Sequence, residues 1–170
     1  VLSNLYIGGG IQEEYFNGDI FLSAESPLLQ EFQSGKFLTN AYAKIAFDNM
    51  DDFYFPTRGT RTDAEFTLNT EFSNDDHTDS PSFLFLMENV IPVFPRTTML
   101  FNIYSRSLFN DNFPQFKTTF VGGASYAQYF NHHLPFLGLP PVTIAKRYTN
   151  IGLAGVRLQI LENHYISLIY

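Results

Sequence analysis

The chain has 170 residues and a formal net charge of −7, no cysteine, and a 17% aromatic content made of 19 Phe and 10 Tyr. The acidic balance argues against a nucleic-acid partner, whose phosphates need a basic footprint, and the lack of cysteine excludes a disulfide scaffold or a thiolate metal site. No apolar run approaches the roughly 18 residues of a membrane-crossing helix; a membrane barrel escapes that criterion, because alternation keeps the mean hydropathy of its strands near zero.

Abundant Phe and Tyr favour strands. Punctuation by Gly, Pro, Asn and Asp divides the chain into about eight extended segments, residues 2–16, 19–32, 37–48, 60–72, 82–93, 97–107, 143–160 and 163–170. Asn17-Gly18 is a hairpin signal, and Gln33-Ser34-Gly35 marks another break. Within 24–32, Ser26 and Pro27 allow a helical turn or two, with Ser26 as N-cap. The chain opens on VLSNLYIGGG and closes on ENHYISLIY, both strand-like, so residues 1–170 read as a single segment incomplete at both ends.

The strand expected after the Phe55–Gly59 turn alternates strictly. Thr62, Ala64, Phe66, Leu68, Thr70 and Phe72 point one way, and Arg61, Asp63, Glu65, Thr67, Asn69 and Glu71 the other. About 12 residues exceeds the roughly 5–6 of a globular strand and suits a tilted membrane-spanning one. Asn40, Tyr42 and Lys44 share the polar side, and hairpin pairing would bring Lys44 near Asp63 or Glu65. Lys146, Arg147 and Arg157 are expected to serve the same polar side from across the barrel. On 82–93, Phe83, Phe85, Met87, Asn89 and Ile91 oppose Leu84, Leu86, Glu88, Val90 and Pro92, so both faces are largely apolar.

Turns at 55–59 and 94–96 are tight, whereas Ser73–Pro81 and about 108–142 are expected as long loops. Short turns at one end and long loops at the other suit an up-and-down barrel.

Candidate chemistry is thin. Gly123-Ala124-Ser125-Tyr126-Ala127 approximates a nucleophile elbow, but an aromatic loop follows where the elbow needs a helix. Adjacent His132 and His133 point apart on an extended segment, with no third ligand set by spacing. Asp48, Asp51 and Asp52, and Asp75, Asp76 and Asp79, lack the spacing of a calcium loop and read as solvated turn carboxylates. No catalytic residue, cofactor site or metal site is expected.

The stretch FDNMDDFYFPTRGTR, with Asp48, Asp51, Phe55, Pro56 and Gly59, resembles a turn motif of the bacterial surface antigen superfamily, a sixteen-stranded outer-membrane barrel. Pro fixes φ where the turn begins and Gly supplies the conformation that reverses the chain. Phe120-Val121-Gly122-Gly123 is similar to the start of that barrel's sixth, lumen-entering loop. The Arg-Gly-aromatic tip of assembly factors does not follow; Leu134-Pro135-Phe136-Leu137-Gly138 instead looks like the barrel attached to patatin-like phospholipases.

The resemblance covers roughly residues 37–170 and implies a set of expectations. The fold is all-β, an antiparallel up-and-down barrel segment of about eight meandering strands. The long-loop set Phe120, Gly122, Gly123, Pro135, Phe136 and Gly138 packs that loop into the lumen. The segment is non-catalytic and lies in the bacterial outer membrane. There it anchors, and translocates or displays, an attached N-terminal domain, with any phospholipase activity residing in that domain. Partners are outer-membrane lipid, the attached domain and, through open strand edges, further copies. From the residues alone, a soluble lipocalin-like barrel around an apolar ligand stays open. The discriminator is which face carries the apolar side chains.

Overall fold

The computed structural model describes residues 4–16, 36–73, 76–110, 117–122, 133–134, 144–162 and 164–169. The main body is one antiparallel sheet. Its strands are β1 (Leu5–Phe16), β2 (Lys36–Asp48), β3 (Gly59–Ser73), β4 (Asp76–Phe94), β5 (Thr97–Leu108), β9 (Tyr148–Leu161) and β10 (His164–Ile169). They stand in the order β1-β2-β3-β4-β5-β9-β10. Three short strands, β6 (Thr119–Val121), β7 (His133–Leu134) and β8 (Ile144–Lys146), form a second sheet in the order β7-β6-β8. The all-β, up-and-down antiparallel architecture matches the sequence reading. Among the described residues the seven strands do not close into a barrel, however, and β1 and β10 are the open edges of the sheet.

Two loop assignments are corrected. Within the stretch expected as a polar loop at Ser73–Pro81, Ser73 ends β3 and residues 76–81 are paired strand, with Thr70 opposite Asp79 and Leu68 opposite Pro81. Its Ser, Thr and Asp residues imitate turn composition, yet they alternate in register and pair as any backbone does. Ser80 is buried, and Asn69 Nδ2 donates to its carbonyl at 2.8 Å. The region 108–142, expected to be irregular, contributes β6 and β7. The single strand expected over 143–160 is broken at Arg147 into β8 and β9. The expected strand 19–32, with its helical turn, lies outside the described residues.

Register sorts every strand of the main sheet into two faces. One, called inner, carries Glu14, Leu38, Asn40, Lys44, Asp63, Asn69, Leu84, Glu88, Leu100, Tyr104, Arg106, Thr149 and Arg157. Across the strands, the other carries Ile7, Ile11, Ile45, Phe66, Leu68, Phe83, Met99, Phe101, Val156 and Leu168. Burial is inverted relative to a soluble sheet. The buried residues of this sheet lie on the inner face and are mostly polar: Asn40, Asn69, Ser80, Ser82, Thr98, Arg106 and Thr149, with Leu38, Val90, Leu100 and Leu108. The apolar face is open, with Ile7 77%, Ile11 75% and Leu168 78% exposed.

The exposed apolar band slants across the sheet. Gly9, midway along the run on β1, aligns through Ala43 and Phe66 with Phe83 on β4. Leu168 on β10 aligns through Val156 and Met99 with Ile91. These two rows differ by eight residues of β4 over six strand-to-strand steps. At roughly 3.3 Å per residue and 4.8 Å per step, the band runs about 40° from the hydrogen-bonding rows.

Candidate functional site

The turn between β2 and β3 is built by its acids. Asp48 Oδ1 accepts from the Met50 amide at 2.9 Å, and its Oδ2 accepts from Arg61 Nε at 2.8 Å. Asp51 Oδ1 accepts from the amides of Thr57 at 2.8 Å and Arg58 at 3.2 Å, while Oδ2 takes the Thr57 hydroxyl. Asp52 Oδ1 accepts from the Tyr54 and Phe55 amides, each at 2.8 Å. Burial pushes the Asp51 carboxyl up, but these hydrogen bonds from Thr57 and Arg58 outweigh it and hold the group below its ordinary value. Asp51 and Asp52 are exposed turn carboxylates, as the sequence reading has them, and they also organise backbone.

Gly59 ends the turn at φ +123°, and a Cβ there would sit 2.6 Å from the Asn49 carbonyl oxygen. Phe55 stacks on Tyr165 of β10 with ring centroids 4.8 Å apart. Arg157 of β9 lies over both rings and donates from Nη1 to the Pro56 carbonyl at 3.0 Å. The turn thus folds across the inner face from β2 and β3 to β9 and β10. Of the three cations expected to reach across, Arg157 does so. Arg147 instead donates to the Asn110 carbonyl at 3.1 Å and lies over its neighbour Tyr148, and Lys146 sits exposed on β8.

A second assembly holds residues 117–122 against the same face. Arg106 of β5, 2% exposed, donates from Nη1 to the Lys117 carbonyl at 2.6 Å and to Thr119 Oγ1 at 3.3 Å. The Lys117 ammonium is ion-paired with Glu14 of β1. Arg106 and Glu14 stand on strands four steps apart, roughly 19 Å across a flat sheet. Reaching both means that the sheet curls around this segment. Phe120, Val121 and Gly122 are buried; Gly122 has φ +129° and donates its amide to the Leu134 carbonyl at 3.0 Å. Leu134 also lines a cavity of about 290 Å³ against Arg61, Asp63, Tyr104 and Leu153.

Lys44 pairs with Asp63 at 2.8 Å, the diagonal choice, although Glu65 stands directly opposite. Gly123, Ser125, His132, Pro135, Phe136 and Gly138 lie outside the described residues, as does Asp75. Asp79 accepts from Thr70 Oγ1 at 2.8 Å. Among the described residues no three His, Asp or Glu side chains converge as metal ligands would. Arg106, Lys117 and Glu14 were missed by sequence reasoning; the one available signal was that Arg106 and Glu14 fall on polar-face positions of their strands.

No protein-family model matches the chain, and neither a curated protein nor a solved structure is found similar to it.

Proposed function

We propose that this chain is part of an outer-membrane β-barrel, with its apolar face in lipid and its polar face lining the lumen. It acts as an anchor that translocates or displays an attached domain, and it carries out no reaction itself. The observation that carries this reading is the inversion of the two faces. A soluble lipocalin-like barrel would turn Phe66, Leu68, Phe83 and Phe101 inward, yet these stand on the open face while Asn40, Asn69 and Arg106 are buried on the other. The slant supports it too: about 40° falls in the 35–45° tilt of membrane barrel strands, so the band lies level in a bilayer when the strands lean.

The two open edges fit a sheet that pairs further strands, because an unpaired edge finds no hydrogen-bond partner in lipid and in water is a template for pairing with another chain. The turn and loop motifs that resemble the surface antigen superfamily add an attached N-terminal domain, patatin-like in the closest resemblance, as the cargo. Residues 117–122 would then occupy the lumen and narrow it.

The test is differential extraction of the full-length parent. Retention of residues 1–170 in outer membranes through carbonate and urea washes is the expected result. Release into the soluble fraction would overturn the reading and leave a water-soluble β-domain.

A further inference from the structure

At the tight-turn end the inner face opens into a cavity of about 410 Å³. Thr57 of the β2–β3 turn, Arg96 of the β4–β5 turn, Thr98 of β5, Arg157 and Gln159 of β9 and Tyr165 of β10 surround it. In a chain of net charge −7, its wall is lined by two arginines and, among the described residues, no carboxylate-bearing residue. Among the described residues neither Arg96 nor Arg157 has an ion-pair partner.

Two further observations converge on the same space. Thr98 is 7% exposed, and its Oγ1 is buried with no hydrogen-bond partner among the described residues. Native proteins rarely leave a buried hydroxyl unpaired, and where they do a water or ligand commonly supplies the partner. Arg96 sits at φ +69°, a left-handed conformation that a hairpin ordinarily gives to Gly or Asn. A long cationic side chain is held in a strained backbone at the rim of the cavity, and such strain gathers at functional positions.

We propose that this cavity binds a phosphate-class anion, held by Arg96 and Arg157 with the Thr98 hydroxyl donating to it. Guanidinium groups suit phosphate oxygens because their planar donors match them in charge and geometry. Arg157 keeps Nη1 on the Pro56 carbonyl and still has donors to offer. The anion is either inorganic phosphate or the headgroup phosphate of a phospholipid. The lipid source rests on the membrane reading above; the cavity itself does not.

The experiment uses the full chain in phosphate-free detergent solution. Equilibrium dialysis measures uptake of labelled inorganic phosphate and, separately, of short-chain phosphatidylglycerol. Wild-type protein is compared with Arg96→Gly and Thr98→Val. Saturable phosphate uptake that weakens by roughly tenfold or more in both variants is the expected result for a free anion. Saturable uptake of the lipid alone, with the same loss in both variants, supports the headgroup source. Uptake of neither, or uptake unchanged by both substitutions, overturns the proposal. Arg96→Gly relieves the left-handed strain, so an unfolding midpoint no lower than wild type separates a lost site from a lost fold. Failure of the membrane reading is read from extraction and leaves the phosphate arm intact.

Discussion

The Arg157 guanidinium on β9 donates a 3.0 Å hydrogen bond to the Pro56 carbonyl, tying a strand to a turn 101 residues earlier. The same guanidinium lies between the rings of Phe55 and Tyr165 and the backbone, so one side chain fixes the turn over the inner face. Arg157→Ala is expected to cost about 1–2 kcal/mol, from one charge-assisted hydrogen bond and a partly exposed cation–π contact. Amide exchange at Thr57 and Arg58 should quicken, while exchange in β4 and β5 stays slow. Equal loss of protection in all of them would mean that Arg157 supports the whole sheet rather than the turn.

Two residues with positive φ should respond in opposite senses. Gly59→Ala forces a Cβ to within 2.6 Å of the Asn49 oxygen at φ +123°. Backbone strain alone then costs about 1–3 kcal/mol, and the urea midpoint falls. Arg96→Gly removes strain at φ +69° and loosens the unfolded chain. Its net effect lies within about 1 kcal/mol of zero, on the stabilising side. The two midpoints, measured in the same detergent, check the contrast.

The docked segment depends on Lys117. Replacing it with Met leaves Glu14, with a side chain 15% exposed, without its cation. Breaking one partner of a buried pair costs about 3 kcal/mol, the lower end because Glu14 keeps some solvent. Removing both charges should recover much of that loss, which a double-mutant cycle measures directly. Gly122→Ala, at φ +129°, is expected to release the segment to protease while the main sheet keeps its far-ultraviolet dichroism. Loss of the dichroism would make this segment part of the sheet's folding core.

The outer face gives a depth-dependent prediction. Phe66→Arg and Phe83→Arg sit on one register row in the middle of the exposed band. In a bilayer each should cost about 2–4 kcal/mol, against near zero for Asp79→Arg at the strand end. Refolding into vesicles and titrating with denaturant measures the difference. Equal small effects at all three positions would mean that this face meets water.

How much of this was legible in the sequence follows from the range of each interaction. Alternation over 60–72 and 82–93 assigned both faces, because side-chain period is a local property of a strand. Asp48, Asp51 and Gly59 were legible because a turn is closed by its own residues. The paired stretch 76–81 was obscured: Asp, Ser and Pro favour turns, and composition alone does not reveal that Ser80 faces Asn69 in register. The contacts of Arg106 with Lys117, of Lys117 with Glu14 and of Arg157 with Pro56 stayed hidden, because the curl of the sheet decides which strands approach. Of these charges the sequence reading placed only Arg157 on the polar side, and it could not choose its partner.

The turn should also be the acid-sensitive part of the fold. Asp51 is held below its ordinary value of 3.8 because the Thr57 hydroxyl and amide and the Arg58 amide bind the carboxylate, overcoming burial. Arg58 Nε, 4.0 Å away, adds a weak ion pair. A depressed folded-state pKa means that the unfolded chain takes up the proton first as pH falls. The stabilisation from Asp51 is therefore fully present above about pH 5, declines through the ordinary carboxylate range, and is gone once the pH passes below the folded-state value. Unfolding midpoints between pH 7 and pH 3 should fall, and amide protection at Thr57 should fall with them. Asp51→Asn, which cannot titrate, should lower the midpoint at pH 7 and flatten its slope toward pH 3. A variant with the wild-type slope would show that the pH dependence comes from other carboxylates and that Asp51 closes the turn equally well in either protonation state.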